Sequence, residues 1–175
     1  MVLVTPEHFV GRIELARSTK IDTVLEEYIE RFEAKFIRQI LGVELGNLLI
    51  ADVQAESGSD PIEERFTNII EPFQIQEDCS PIHESAGLID VIASMIFFHY
   101  VTDRQVLQSQ SGAKRAAAEA SVILTPREAQ RQGESVWNEA LSSIEAIQWR
   151  CSVHEYDTYP EFMGVRIPPQ YSSLL

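Results

Sequence analysis

The sequence predicts a mainly α fold: a compact helical bundle with a long loop or hairpin and an extended C-terminal arm. Three observations predict it. Apolar residues recur at steps of three and four through most of the chain, with helix-start signals placed before them. One nearly continuous apolar stretch sits mid-chain, as expected of a helix surrounded by others. The last 25 residues abandon that period for prolines and aromatics.

Taken in order, Thr5 before Pro6 supplies a cap and a first helical proline, which predicts a short helix to about Arg17. A second helix starts near Ile21. Its apolar residues Leu25, Tyr28, Ile29, Phe32, Phe36, Ile37, Ile40 and Leu41 fall on one face, and Glu26, Glu27, Glu30, Glu33 and Arg38 take the other. Burying each such apolar side chain stabilises by roughly 2 kcal/mol before entropy, so this face requires a partner. Gly42 permits the left-handed turn that ends helices, and Val43 to Val53 resumes a shorter one.

The stretch AESGSDP is a loop by composition, and Asp60-Pro61-Ile62-Glu63 caps a helix to about Ile70. Pro72 and Pro81 bracket an irregular acidic segment with a weak strand signal. The central helix is expected from about Glu84 to Leu107. SQSGAKRAAAEASVIL then reads as a long loop or hairpin, about residues 108–124. Thr125-Pro126-Arg127-Glu128 combines capping-box spacing with the favoured proline and opens a helix to about Arg150. Its stripe is Ala129, Val136, Trp137, Ala140, Leu141, Ile144 and Ile147. This gives a helical domain over 1–150 and an arm over 151–175 whose aromatics must bury against the same domain or a neighbour.

At 175 residues the chain suits one domain. Lys and Arg number 14 against 27 Asp and Glu, a net charge of −13, which argues against gripping phosphate backbones. Residues 108–150 are the neutral exception, with five basic and five acidic side chains. Cys79 and Cys151 form no CxxC pair, so a disulfide framework or zinc knuckle has little support and a reducing compartment fits best. The N-terminus lacks the pattern of a secretory signal. The apolar run from Ala86 to Val101 is shorter than the roughly 20 residues of a membrane span and is broken by Asp90, Ser94 and His99.

The sequence carries several fragments of reactive motifs, each with an ordinary structural alternative. His83-Glu84 begins like HExxH, but position 87 is glycine where the second histidine must stand. His99, among Phe97, Phe98 and Tyr100, reads as a hydrogen-bonded core or interface histidine rather than a general base. Ser111-Gly112-Ala113-Lys114 matches SxxK without its companion motifs, and Ser85 in HESAG lacks the first glycine of a nucleophile elbow. No glycine-rich phosphate cradle is present. Adjacent acids such as Glu26-Glu27 and Glu63-Glu64 point about 100° apart on a helix and belong to solvated faces. Lys114-Arg115, with Arg127 and Arg131, is the one concentrated positive region, suited to touching phosphate or to keeping a loop solvated. No catalytic, cofactor-binding or metal-ligating residue is assigned, and no cofactor is expected.

The order of YIERFEAKFIRQILGVELGNLL, HESAGLIDVIASMIFFHYVTDRQ, SGAKRAAAEASV, and a capped final helix followed by YP resembles the head–tail connector, or adaptor, proteins of tailed bacteriophages, particularly those of Bacteroidetes phages and the crAss-like group. The resemblance spans most of residues 20–162. It implies a non-enzymatic virion protein made in the host cytoplasm and placed in the neck. There it would form a homo-oligomeric ring, usually twelvefold, beneath the portal protein, extend the DNA channel and offer tail or further neck proteins a docking surface. An acidic lumen would let DNA slide without sequence-specific binding, and no membrane would be involved. The loop bearing Lys114 and Arg115 would reach the portal or the lumen. The arm, with Tyr156, Tyr159, Pro160, Phe162 and Tyr171, would lie across an adjacent subunit. A rival reading is a stand-alone helical adaptor or regulator that binds a partner through that arm.

Overall fold

The computed structural model describes residues 3–15, 19–55, 63–77, 81–111 and 126–170. The architecture is mainly α: α1 (Thr19–Leu41), α2 (Val43–Ala55), α3 (Glu64–Ile70), α4 (Leu88–Ser111) and α5 (Pro126–Trp149), with one small hairpin of β1 (Phe73–Ile75) and β2 (His83–Ser85). The main pairing is α4 on α5, with α1 laid across both and α2 folded back on α1. Their apolar faces meet in one core, including Ile29, Phe36, Ile37, Leu45, Ile92, Ile96 and Ile147. No described helix is long and apolar enough to cross a membrane.

The α1–α2 corner is made by Gly42, whose φ of 88° lies in the left-handed region where a Cβ is disfavoured. Gly87, also at φ 88°, corrects the expected start of the central helix at Glu84. A helix cannot run through that conformation, so α4 begins at Leu88. His83–Ser85, ahead of Ala86 and Gly87, pair antiparallel with β1, Phe73 opposite Ser85 and Ile75 opposite His83. The strands that the acidic segment signalled only weakly therefore exist, one of them built from residues assigned to the helix.

At its other end α4 continues through Ser111. Residues 108–110 are Gln, Ser and Gln, which a helix tolerates, and the first breaker is Gly112, so the expected loop from 108 begins later. Residues 112–125 lie outside the described residues, as do Asp60 to Ile62 and the Thr125 cap.

The expected first helix is instead two 3-10 turns, Pro6–His8 and Gly11–Ile13, separated by extended Val10. The Thr5 backbone N–H donates to His8 Nδ1 (2.9 Å), closing the first turn at once. The segment then runs as a strap that buries Leu3, Val4, Phe9 and Ile13.

The arm is neither wholly extended nor separate. Residues 150–154 prolong α5 as a π turn, turns follow to Glu161, and the remainder to Gln170 has no regular secondary structure. It lies on its own chain. The backbone N–H groups of Met163 and Val165 donate to the carbonyls of Leu41 (3.2 Å) and Gln39 (3.3 Å). The Trp137 indole N–H donates to the Pro168 carbonyl (3.1 Å), and Asn138 exchanges two bonds with Gln170.

Candidate functional site

A cleft of about 290 Å³ opens where the N-terminal strap crosses the start of α4 and the middle of α5. Its floor is apolar, with Ile13, Val91, Val136 and Ala140, and its polar rim carries His8, Arg12, Asp90, Ser94, Glu139 and Ser143. Each rim group is placed by local structure. Pro6 and the Thr5–His8 bond fix the His8 ring. Asp90 stands in the first turn of α4, where the helix dipole favours a carboxylate. Glu139 pairs with Arg12 on the cleft rim and also accepts from the Ser135 hydroxyl (3.3 Å).

Burial raises the Asp90 carboxyl above its ordinary range, opposed by the nearby His8. Ser143 Oγ accepts the Ala86 N–H (3.2 Å), which ties β2's exit to α5. Ser94 makes no hydrogen bond to His8 among the described residues, so no nucleophile is coupled to a base. The rim sets the Asp90 carboxylate, with His8 nearby, beside an apolar floor. Sequence spacing gave no hint of it, because Arg12 and Glu139 are 127 positions apart and meet only through the fold.

The residues that sequence reading singled out lie elsewhere and are not brought together. His83 stacks on Trp149 with ring centroids 3.7 Å apart, and His154 stacks on the same indole at 5.3 Å. His154 Nδ1 is 2.7 Å from Glu77 Oε1. The arrangement pins the hairpin to the end of α5. Ser85 is buried, its hydroxyl accepting the Gly87 N–H (3.1 Å) and so serving the turn. His99 stacks on Phe32 at 4.6 Å, within a cluster that includes Phe36, Phe98 and Trp137. Burial holds its imidazole below the ordinary range, with Asp103 pulling the other way. No group of three or more metal-ligating side chains occurs among the described residues. Lys114 and Arg115 fall outside them.

Of the arm residues, Tyr159 is buried in its own chain. Its hydroxyl donates to the Arg65 carbonyl (2.6 Å), and burial raises the phenol above its ordinary range. The sequence leaves its burial open between its own domain and a neighbour, and within this chain the ring belongs to the core. Phe162 is half-buried against the same core, Pro160 and Tyr156 are exposed, and Tyr171 lies outside the described residues. Two arginines clamp the arm. Arg65 bonds the Thr158 carbonyl and Glu161, and Arg150 bonds Glu155 and the Asn68 carbonyl. Burial pushes the adjacent Cys151 thiol up to about 12, which leaves it unreactive.

No family model matches the chain, and no curated protein or solved structure is similar to it.

Proposed function

We propose that the chain is a structural protein of a phage neck, a head–tail connector that assembles as a ring under a portal protein. The observation that carries this reading is the order of its parts. A long α1 turns at Gly42 into α2, a central α4 follows the hairpin, and a final helix passes into an aromatic, proline-rich arm, in the sequence order that resembles that family. The surface charge agrees with it. Glu26, Glu27 and Glu30 stand exposed along α1, and a lining of such acids would let DNA pass without being held.

The rival, a stand-alone adaptor offering its arm as a peptide, is less economical. Releasing the arm would withdraw Tyr159 and Ile167 from the core and break the Arg65 and Arg150 clamps. A connector can use the same arm without unfolding it, through the side chains it leaves exposed, such as Tyr156 and Met163.

Co-expression with a tailed-phage portal protein provides the test. Co-purification, and a closed ring around a central hole in particle images, are expected. A chain that ignores the portal and is missing from virions would remove the reading.

A further inference from the structure

The C-terminal arm over residues 162–170, a second strap laid on α1, presents an unusual face to solvent. Met163 is 74 % exposed and Val165 is 61 % exposed, yet their backbone is held by two hydrogen bonds to α1 and one from Gln148 to the Val165 carbonyl (3.2 Å). Exposed apolar side chains on an ordered backbone are pre-organised for a partner, since little entropy remains to be lost there. Beside them stands Arg166, exposed and without an ion pair among the described residues. It is the arm's only basic residue, against Glu155, Asp157 and Glu161.

The cleft has the complementary composition. Val91, Val136 and Ala140 make an apolar floor, and Asp90 accepts no hydrogen bond from any described residue. The Arg12–Glu139 pair beside it is already neutralised. Asp90 is thus a carboxylate available for an incoming cation, beside the His8 ring on the same rim.

Strap and cleft lie on different sides of α5. The cleft uses Val136, Glu139, Ala140 and Ser143, whereas the strap bonds Trp137, Asn138 and Gln148. At 3.6 residues per turn those sets are separated by roughly 150° around the helix axis. One copy therefore cannot bring its own Arg166 to its own Asp90.

We propose that copies of this chain associate head to tail, with Met163 and Val165 of one copy seated on the cleft floor of the next and Arg166 paired with Asp90. Two different faces meet, so the contact is heterologous and propagates to a ring or a filament rather than stopping at a dimer. The proposal deepens the connector reading by naming the subunit contact, and it rests on that reading only for closure of the ring.

The test uses two full-length variants in a Cys79→Ser background, one carrying Asp90→Cys and the other Arg166→Cys. Both sites are exposed, and buried Cys151 does not compete. A short bismaleimide added to the concentrated mixture is expected to yield a heterodimer, while either variant alone yields none. The chain carrying both cysteines is expected to give a ladder of multimers. Absence of the heterodimer, or homodimers from a single variant, would overturn the contact. As a second arm, Asp90→Arg and Arg166→Glu are each expected to lower self-association about tenfold, and the double swap to restore it. Single swaps without effect would also overturn it. Portal co-purification is scored separately: portal binding without cross-links removes only this contact, and cross-links without portal binding remove only the connector reading.

Discussion

Glu33, 1 % exposed within α1, accepts the backbone N–H of Leu3 at 2.6 Å through the same carboxylate oxygen that accepts the Val4 N–H at 2.6 Å. A buried carboxylate is costly unless bonded, and a buried N–H is costly unless accepted, so each side of this contact answers the other's need. The strap beside the cleft is consequently held by α1. Glu33→Ala is expected to lower stability by about 3 kcal/mol, because two backbone donors lose their acceptor. Glu33→Gln retains one acceptor oxygen and is expected to cost about half as much. Urea unfolding measures both, and a loss below about 1 kcal/mol for the alanine variant would show that the strap is held by apolar burial alone.

Gly42 joins two requirements at one residue. Its φ of 88° disfavours any Cβ, and a Cβ placed there would stand 2.8 Å from the Met163 backbone of the strap. The backbone term alone is worth roughly 1–2 kcal/mol, and the second contact has no flexible side chain to give way. Gly42→Ala is therefore expected to cost about 2–4 kcal/mol and to loosen the strap. Limited proteolysis near residues 163–166 should accelerate in the variant. Unchanged cleavage with lowered stability would mean that the corner relaxes without moving the strap.

How much of this was legible in the sequence varies with how local the cause is. The α1 stripe, the Gly42 turn and the α5 stripe are local patterns, and all three appear where periodicity and glycine placed them. The start of α4 departs from the expected Glu84 because the backbone conformation of Gly87 and the pairing of His83 with Ile75 are properties of the fold, not of local periodicity. The short opening helix failed for a similar reason: a proline cap signals a start but not a length, and burying Phe9 and Ile13 does not need a continuous helix. Nothing local could reveal the cleft, since its rim is gathered from the strap, α4 and α5. Of the arm's aromatics Tyr159 is buried, Phe162 half-buried and Tyr156 exposed, a division that depends on the shape of a surface that sequence does not display.

That surface makes the arm part of the folding unit. Tyr159 fills a buried site and donates to the Arg65 carbonyl at 2.6 Å, while Ile167 closes the core further along. Tyr159→Phe is expected to cost about 1–2 kcal/mol for the carbonyl left without its donor, and Tyr159→Ala about 3–5 kcal/mol. Deleting residues 155–175 removes both side chains and the clamps, so it should lower the stability of the whole chain and not merely its association with other copies. Equilibrium unfolding of the truncated chain checks this. A midpoint equal to that of the full chain would make the arm an appendage after all.

His99 provides a pH handle on the same core. Burial against Phe32 and Phe36 lowers its pKa from 6.5, Lys35 and Arg31 add to the lowering, and Asp103 opposes them. In the unfolded chain the imidazole takes its proton near the ordinary value, while the folded chain holds it neutral to lower pH. Between those two points the unfolded state binds more protons, so stability falls as pH falls. The contribution is fully present above the unfolded pKa, declines as pH drops below it, and stops declining below the depressed folded value. His99→Phe keeps a ring in the aromatic cluster but removes the titration. Urea midpoints measured from about pH 7.5 down to about pH 5 should therefore fall more steeply for the natural chain than for the variant. Parallel curves would mean that His99 takes its proton equally well in both states, and that its stacking on Phe32 does not exclude water.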